Sequence, residues 1–227
     1  MSCIAVIPAR GGSKRIPGKN SKLFLGVPII SRVIEQALES GCFDQIIVST
    51  DDERIAEIAC KAGAEVPFLR PAEIADDHTS TIAVIRHAIS HMIEASADDH
   101  ICCLYPTSVF VNTEVLKIGL GIISTGLYDY VMSSVEYDHP IQRSFTLQEG
   151  MLGDFNENHL RTRTQDLKKF YHDAGQFYWG KAKSWLTNDQ IIGQRSHAIV
   201  FSGNNVHDID TPEDWAIAEL LYKIYNS

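Results

Sequence analysis

The amino-acid sequence predicts an α/β fold built on a mostly parallel, doubly wound sheet. Short apolar runs alternate with amphipathic helical patterns, and no internal repeat or linker divides the chain. Such alternation implies right-handed crossovers that place helices on both faces of one sheet. Ligands of these sheets bind at the carboxyl ends of the strands. With 227 residues, 44% of them apolar and 22% charged, the chain fits one globular domain over 1–227.

Strand and helix patterns follow one another in a regular order. In chain order we predict a strand at 4–7, a helix at 29–38 ending at Gly41, a strand at 45–49, a helix from 50 to 63, a strand at 65–69, a helix at 79–94, a strand at 100–104, a helix at 112–123 and a strand at 175–180. Thr50 and Glu53 form a capping-box pattern for the second helix. Thr211 as cap, Pro212 as first helical residue and Asp214 as the return half of a box predict a last helix.

The pattern becomes irregular between 137 and 170, where Pro140, Gly150 and Gly153 interrupt it. Long irregular segments in compact domains usually form lids, binding loops or dimer arms. We therefore predict an inserted arm or lid at 137–170, with a plain surface loop as the alternative. The insertion leaves the chain as one domain because no linker-like composition flanks it.

The charge balance argues against nucleic acid and membranes as partners. The chain has 20 Lys and Arg against 29 Asp and Glu, which gives a net charge of −9. Polyphosphate backbones and anionic lipid surfaces repel acidic proteins. The sequence shows neither a signal-peptide pattern nor an apolar run of about 18 residues, so we expect a cytoplasmic protein.

The five cysteines are predicted to be reduced residues of the core. They are Cys3, Cys42, Cys60, Cys102 and Cys103. Their odd number and the absence of C-x-x-C spacing argue against a disulfide framework and against a zinc knuckle. Cys102 and Cys103 lie within an apolar run, which favours buried thiols over a catalytic thiol.

The loop after the first strand has the composition of a phosphate site. Its cations are Arg10, Lys14, Arg15 and Lys19, and its small residues are Gly11, Gly12 and Ser13. Small residues let backbone N–H groups approach phosphate oxygens, and the cations offset the charge of a triphosphate. The loop matches neither G-x-x-x-x-G-K-[ST] nor G-x-G-x-x-G. In an acidic chain this basic cluster favours a small anionic ligand, with a solvated basic turn as the alternative.

Asp208 and Asp210 alternate with Ile209 near the end of the chain. In an extended segment the two carboxylates point to one face while Ile209 points to the other. Close carboxylates repel each other unless a cation lies between them, and Mg²⁺ prefers carboxylate oxygens together with phosphate and water. We therefore predict a Mg²⁺ site formed by Asp208 and Asp210, with a solvated turn as the alternative.

Five blocks in this order resemble the CMP-sugar synthetases, the cytidylyltransferases that activate 2-keto-3-deoxy sugar acids. The blocks are ARGGSKRIPGKN (9–20), IVSTDD (47–52), LRPAE (69–73), YPTS (105–108) and DIDTPED (208–214). The blocks are spread over nearly the whole chain, from residue 9 to residue 214. The resemblance implies a Rossmann-like nucleotidyltransferase fold, Mg²⁺ dependence and a homodimer built through the inserted segment.

Matched residue by residue, the resemblance implies a site for CTP. The residues it implies are Arg10, Gly11, Gly12, Ser13, Lys14, Lys19, Asn20, Arg70 and Ser80. Arg10 and Lys19 fall on the triphosphate and, with the metal-binding pair Asp208 and Asp210, form the implied catalytic set. Asn20, Arg70 and Ser80 fall where the family recognises cytosine and ribose. For Arg70, the alternative is a surface ion pair with Glu73.

The sugar end of the chain is similar to the pseudaminic acid branch of this family. The similar stretches are PIQR (140–143), RTQDL (163–167) and YHDAGQFYWG (171–180). The residues implied for the sugar are Tyr105, Arg143, Arg163, His172, Gln176 and Phe177. Guanidinium forks suit the sugar carboxylate, and aromatic rings suit its apolar patches. Burial of Phe177 and Trp179 in the strand core is the alternative for the aromatics. Legionaminic acid, N-acetylneuraminic acid and Kdo are the alternative substrates.

The resemblance also implies a reaction. CTP and an acidic nine-carbon sugar are joined by in-line attack of the anomeric hydroxyl on the α-phosphorus, which gives a CMP-sugar and pyrophosphate. A non-catalytic nucleotide-binding protein is the alternative from another class, and the paired aspartates argue against it. A glycosyltransferase of related fold usually has a D-x-D metal site in mid-chain, whereas this aspartate pair lies near the chain end.

Overall fold

A six-stranded mixed sheet with helices on both faces forms the centre of the computed structural model, which describes residues 1–92, 96–154, 157–201 and 206–225. The strands are β1 Cys3–Pro8, β2 Leu23–Phe24, β3 Val27–Pro28, β4 Gln45–Ser49, β5 His100–Leu104, β6 Tyr130–Glu136, β7 Thr146–Gln148, β8 Met151–Gly153, β9 Tyr171–Lys181 and β10 Ser196–Phe201. The helices are α1 Ile29–Ser40, α2 Glu53–Lys61, α3 Thr81–Ser90, α4 Thr113–Ser124, α5 Glu157–Leu160, α6 Ala182–Thr187 and α7 Pro212–Tyr225.

The strand order in the main sheet is β10-β6-β9-β5-β1-β4. The pairs β1–β4, β1–β5 and β10–β6 are parallel, whereas β9 runs antiparallel to both β5 and β6. The predicted mostly parallel sheet is therefore confirmed, with one reversed strand near its middle. The hairpins β2–β3 and β7–β8 form two small separate sheets.

Alternating residues of β1 contribute to two hydrophobic cores. Ala5 and Ile7 pack in the core that also receives α1, α2, α4 and α7, while Ile4 and Val6 pack in the core beneath α3 and α6. All four side chains are at most 3% exposed. A strand buried on both faces reads as a continuous apolar run, and helices on both faces make the fold doubly wound as predicted.

The first two helices follow the predicted pattern with one difference. α1 ends at Gly41, whose φ of 62° lies in the left-handed region that favours glycine. The N-cap of α2 is Asp52, whose carboxylate accepts from the Ile55 N–H at 3.0 Å. Thr50 instead accepts from the Asp52 N–H at 3.1 Å, so the predicted capping box centred on Thr50 is wrong. An aspartate two residues later satisfies the free amides of the first turn equally well.

The predicted strand at 65–69 is also wrong, because these residues form only two isolated bridges, Ile47 with Glu65 and Thr50 with Leu69. Pro67 lies between the bridges and has no N–H to donate to a ladder. Conversely, β6 and β10 are strands that the sequence patterns did not predict. β6 is buried along nearly its whole length and so lacks alternation, and β10 is a partly exposed edge strand.

The later predicted elements are largely confirmed. β5 has the predicted bounds, α3 and α4 start at the caps Ser80 and Asn112, and β9 is longer than predicted at both ends. α3 ends at Ser90, and the last two residues of its predicted range lie outside the described residues. The capping box of α7 is confirmed, because the Asp214 N–H donates to Thr211 Oγ1 at 3.2 Å and the Thr211 N–H donates to the Asp214 carboxylate at 2.7 Å.

The segment 137–170 leaves the sheet after β6 and returns at β9. Its ends meet where the Tyr137 N–H donates to the Phe170 carbonyl at 3.0 Å. Between them lie the hairpin β7–β8, the short helix α5 and two 3-10 turns. The described part of this segment is thus an excursion closed at its base, as an insertion should be. Its role as a lid or a dimer arm stays a prediction.

All five cysteines are free thiols, but they do not share one environment. Cys42, Cys102 and Cys103 are buried, and burial raises the pKa of the Cys102 and Cys103 thiols. Cys60 is exposed on α2, so the prediction that every cysteine is a core residue is wrong for it. A helix with one apolar face carries exposed residues on the other. Within the described ranges, no helix has the length and apolarity needed to span a membrane.

Candidate active site

A cavity of about 540 Å³ opens at the carboxyl ends of β1 and β5. Loop residues that follow β1 form one wall, and Tyr105, Thr107 and Thr81 contribute to the other. Parallel strands that end at one edge bring their following loops together there. We call this space the first cavity. Four predicted cations line it: Arg10, Lys14, Arg15 and Lys19.

Two of these cations are paired with one carboxylate from a different loop. Asp77 contacts Arg10 and Lys14 with N–O distances of 2.5 Å each. Hydrogen bonds from Lys14 and Arg10 hold the pKa of Asp77 below its usual value. The Asp77 carboxylate therefore lies against the cations that were predicted to meet phosphate.

The loop amides are used within the protein. The Gly11 N–H donates to Asp51 at 2.9 Å, and the Ser13 N–H donates to the Gly11 carbonyl at 2.9 Å. A Cβ on Gly11 would lie 2.7 Å from a carboxylate oxygen of Asp52. Gly11 is thus required for close packing against the start of α2. The role of Gly11, Gly12 and Ser13 in triphosphate binding stays a prediction.

Two residues predicted for cytosine and ribose are buried beside the first cavity. The Asn20 side chain donates to the Arg10 carbonyl at 2.9 Å and so fixes the loop, and its Oδ1 has no partner among the described residues. Arg70 is 6% exposed, with Asp51 4.0 Å from its Nη2. Burial lowers the pKa of Arg70. Two of its nitrogens lack hydrogen-bond partners within the described residues, and this arrangement differs from the alternative of a surface pair with Glu73.

Ser80 caps a helix beside the first cavity. It is the N-cap of α3, and its hydroxyl accepts from the Ala83 N–H at 3.2 Å. Its neighbours Thr79 and Thr81 line the first cavity. The contact between Ser80 and CTP stays a prediction, and the two threonines are cavity residues that the sequence did not single out.

The predicted metal pair lies where the first and last parts of the chain meet. Ile209 is fully buried between the two aspartates, as the alternation predicted. Asp210 contacts Arg15 at 2.8 Å and Lys19 at 3.4 Å, and Lys19 also donates to the Ile209 carbonyl at 2.7 Å. Partial burial, followed by the charge of Asp210, raises the pKa of Asp208. An added cation beside Asp208 would relieve both effects.

The donor set of this pair fits a hard divalent cation. Two carboxylates offer oxygen ligands, and partial burial and the charge of Asp210 raise the pKa of Asp208. Within the described part of the chain, no group of three His, Cys, Asp or Glu side chains could hold a metal. Asp208 and Asp210 therefore fit an open site of the kind that substrate oxygens and water complete.

Asp208 lines a second cavity, which has a volume of about 520 Å³. It is lined by Asp208 together with His172, Asp173 and His207, and by β6 residues such as Glu136. A Cβ on Gly175 would be 3.9 Å from the Asp208 carboxylate, so β9 approaches the metal pair closely. Acceptors and imidazoles dominate this cavity, in contrast to the cations of the first.

The structure separates the residues that were predicted for the sugar. His172 lines the second cavity, and Tyr105 lines the first, where its hydroxyl lies 2.6 Å from Thr81 Oγ1. Gln176 is 1% exposed and Phe177 is fully buried. The predicted sugar contact of Phe177 is corrected by this burial, because β9 lies between two strands with both faces covered.

Arg143 and Arg163 lie in the insertion. Arg143 donates to Thr164 Oγ1 at 3.2 Å and to the Thr162 carbonyl, and so ties two 3-10 turns together. Arg163 is exposed at the start of the second turn. Neither arginine is among the described residues that line the two cavities. Their contact with a sugar carboxylate stays a prediction.

Sequence reasoning missed Asp77 and Tyr178 as site residues. Asp77 follows the LRPAE block in the acidic stretch before α3, and an acidic residue opposite a basic loop was a signal that could have been used. Tyr178 donates to the Asp173 carboxylate and touches Tyr105. In the sequence, Tyr178 has the pattern of a buried strand residue, so no sequence pattern reveals its contact with Asp173.

Comparisons with known proteins identify the family of the chain. Residues 4–201 match the model of a family described as cytidylyltransferase. A pseudaminic acid cytidylyltransferase of Campylobacter jejuni is 44% identical over 226 residues, which cover 99% of this chain and 97% of that protein. A CMP-N,N'-diacetyllegionaminic acid synthase of Legionella pneumophila is 32% identical, with 99% of this chain and 97% of that protein covered.

A solved structure shares the fold. A CMP:2-keto-3-deoxy-manno-octonic acid synthetase complexed with CTP superposes with a TM-score of 0.74, covering 99% of this chain and 100% of that one. The sequence identity is 16%, so the likeness shows the fold alone. The predicted nucleotidyltransferase architecture is thereby confirmed.

Proposed function

Because the chain belongs to the cytidylyltransferase family, we propose that it converts CTP and pseudaminic acid into CMP-pseudaminic acid and pyrophosphate. Support for the sugar comes from the 44% identity to the Campylobacter jejuni enzyme over 99% of this chain. The legionaminic acid relative is less similar, at 32% identity. The proposal therefore chooses pseudaminic acid over the other sugar acids.

One observation carries the division of the site into two substrate regions. Asp210 is paired with Arg15 and Lys19 of the first cavity, and Asp208, two residues earlier, lines the second cavity. We assign CTP to the first cavity, where the cations meet the triphosphate. The sugar acid takes the second cavity. The reacting oxygen and the α-phosphorus then meet at the two aspartates.

The reaction is an in-line displacement. A lone pair of the anomeric oxygen forms a bond to the α-phosphorus, the bond from that phosphorus to the bridging oxygen breaks, and pyrophosphate leaves with the electron pair. The hydroxyl proton is released. Arg10, Lys14 and Lys19 stabilise negative charge that develops on the leaving group. Asp208 and Asp210 would hold Mg²⁺, which when bound neutralises phosphate charge and polarises oxygens bound to it.

The test is pyrophosphate release from CTP and Mg²⁺ with each sugar acid offered separately. We expect turnover with pseudaminic acid and a product of the mass of its CMP conjugate. N-acetylneuraminic acid, legionaminic acid and Kdo serve as competitors. Turnover with one of these alone would discard the sugar assignment and keep the chemistry. No turnover with any of the four would refute the proposal for both substrates.

The same proposal includes a homodimer in the cytoplasm. The hairpin β7–β8 exposes Leu147, Met151 and Leu152 by 61 to 71%. Adjacent exposed apolar side chains are typical of an interface. We expect light scattering to give twice the chain mass, and Leu147→Asp with Met151→Asp to give the monomer. Leu127→Asp, at an equally exposed leucine outside the hairpin, is the control that keeps the dimer. A wild-type monomer would contradict this part of the proposal.

A further inference from the structure

The carboxylate of Asp173 is held from two sides at the edge of the second cavity. One oxygen accepts from the Gly175 N–H at 2.8 Å, and the other accepts from the Tyr178 hydroxyl. Asp173 itself lines the cavity. Two donors that are part of the same strand therefore fix the direction of a charged acceptor towards a ligand space.

The donor on the buried side is kept protonated. Tyr178 is 5% exposed, and burial, followed by Tyr105 and Asp173, raises its pKa far above the usual tyrosine value. Its ring packs edge to face against Tyr105, with centroids 5.8 Å apart, and Tyr105 is in turn bonded to Thr81. Because Tyr178 stays a neutral donor, Asp173 is the member of the pair that carries the negative charge.

A backbone irregularity lies in the strand segment that carries this carboxylate and approaches Asp208. The register of β9 against β6 shifts between Met132 and Ser134, where Tyr178 and Asp173 are the facing residues. Gly175 lies in the bulge with φ 60°, a conformation that favours glycine, and it approaches Asp208. Bulges commonly re-aim side chains next to active sites. Here the bulge turns Asp173 out of the sheet core and beside the proposed sugar region.

The Asp173 carboxylate has acceptor positions left for a ligand. An ionised carboxylate has about four acceptor positions, and Gly175 and Tyr178 occupy two of those on Asp173. The remaining positions accept O–H or N–H groups and repel a ligand carboxylate. Pseudaminic acid offers hydroxyl and amide N–H donors as well as one carboxylate. The charge of Asp173 thus dictates which side of the sugar can face it.

We infer that Asp173 is a specificity-determining residue that accepts a hydrogen bond from an O–H or N–H group of the sugar acid, and that Tyr178 is its positioning residue. This inference rests on the proposed function. A purely structural role, in which the Asp173–Tyr178 bond only pins the bulge, makes a different prediction. Loss of the Asp173–Tyr178 hydrogen bond would then disturb the centre of the sheet. It would change KM for both substrates or lower the melting temperature.

The experiment measures KM for each substrate and the melting temperature of Asp173→Asn, Tyr178→Phe and a control. Tyr130→Phe is the matched control, because Tyr130 is a 1% exposed tyrosine of the same sheet whose hydroxyl donates to the Ser184 carbonyl at 2.9 Å. Asp173→Asn should raise KM for the sugar about 10- to 100-fold, since the site loses a charged acceptor. Tyr178→Phe should raise it roughly 3- to 10-fold, because the acceptor remains but is less fixed.

KM for CTP should stay within about twofold in both variants, and Tyr130→Phe should leave both KM values unchanged. An unchanged sugar KM in Asp173→Asn, or equal losses for CTP and sugar, would overturn the inference. If Asp173→Asn does not fold, Tyr178→Phe decides the matter by the same criterion. Wild-type enzyme is assayed first, so that absence of turnover with pseudaminic acid is recognised as failure of the proposed function and not of Asp173.

Discussion

The two cavities differ in the charge of the side chains that line them. The first is lined by cations that protein carboxylates already neutralise, Asp77 on Arg10 and Lys14 and Asp210 on Arg15. The second is lined by acceptors and imidazoles, and its Asp173 carboxylate is held by neutral donors.

This difference indicates how each ligand enters. A triphosphate must take the place of an internal anion on the cations, so part of its binding energy is offset by the lost ion pairs. A sugar acid in the second cavity meets the Asp173 carboxylate, whose donors Gly175 and Tyr178 are neutral, so no ion pair has to be broken at Asp173. On the proposed assignment of CTP to the first cavity and the sugar acid to the second, charge selects the nucleotide, and fixed hydrogen-bond geometry selects the sugar.

The largest expected effect tests the proposed metal-binding pair through Asp210, which contacts the cations of the first cavity. Asp210→Asn should lower kcat by at least about 10³-fold while the melting temperature stays close to that of the wild type, because the metal pair and its cation contacts are weakened. Pyrophosphate release at saturating substrates measures the effect. Asp189→Asn, on an exposed aspartate that lines neither cavity in the described residues, is the control. Near-normal turnover of Asp210→Asn at ordinary Mg²⁺ would contradict the metal assignment.

The second effect tests whether charge selects only the nucleotide. Arg10→Ala should raise KM for CTP about 100-fold and leave KM for the sugar nearly unchanged, because a charge-assisted contact to phosphate is lost in the first cavity alone. Steady-state kinetics with each substrate varied in turn gives both values. Arg54→Ala, an exposed arginine on α2, should change neither. Unchanged CTP binding by calorimetry would refute the role of Arg10.

A smaller effect in the opposite direction tests the internal anion. Asp77→Asn should lower the dissociation constant of CTP about threefold to tenfold, because Arg10 and Lys14 no longer have a competing carboxylate. Isothermal titration of CTP at low ionic strength is the measurement. Glu73→Gln removes an acidic charge from the exposed surface of the same loop and serves as the control. Weaker CTP binding by Asp77→Asn would show that Asp77 supports the ligand and does not compete with it.

The smallest expected effect concerns His87 on α3 and the pH dependence of the melting temperature. Burial, followed by His91 and Arg70, lowers the pKa of His87. The unfolded chain therefore binds a proton at this site first, so stability falls as the pH drops from about 6.5 towards the folded pKa. His87→Gln should make this acid-side loss of melting temperature smaller. His78→Gln is the control on an exposed histidine, and identical pH slopes for wild type and His87→Gln would contradict the prediction.

Much of the fold and part of the site were predictable from local sequence. Apolar periodicity located β1, β4, β5 and their helices, and short motifs located the cationic loop and the Asp208–Asp210 pair. The segment 65–69 was predicted as a strand because most of its residues favour extended structure. Pro67 lacks the N–H that a continuous ladder needs, so only two isolated bridges form. Phe177 was assigned to the sugar from the family resemblance, and its full burial agrees with the alternative, a position in the strand core.

The sequence by itself determined the class of fold and revealed the basic loop and the alternating pair Asp208 and Asp210, because each depends on residues close together along the chain. Only the tertiary structure decided that Lys19 reaches the Ile209 carbonyl, 190 residues away, and that Asp77 occupies Arg10. It also decided the reversal of β9, which buries Phe177 and directs Asp173 to a cavity. Such contacts join distant segments, and sequence periodicity carries information only about the face that a residue presents, not about which distant group lies opposite it.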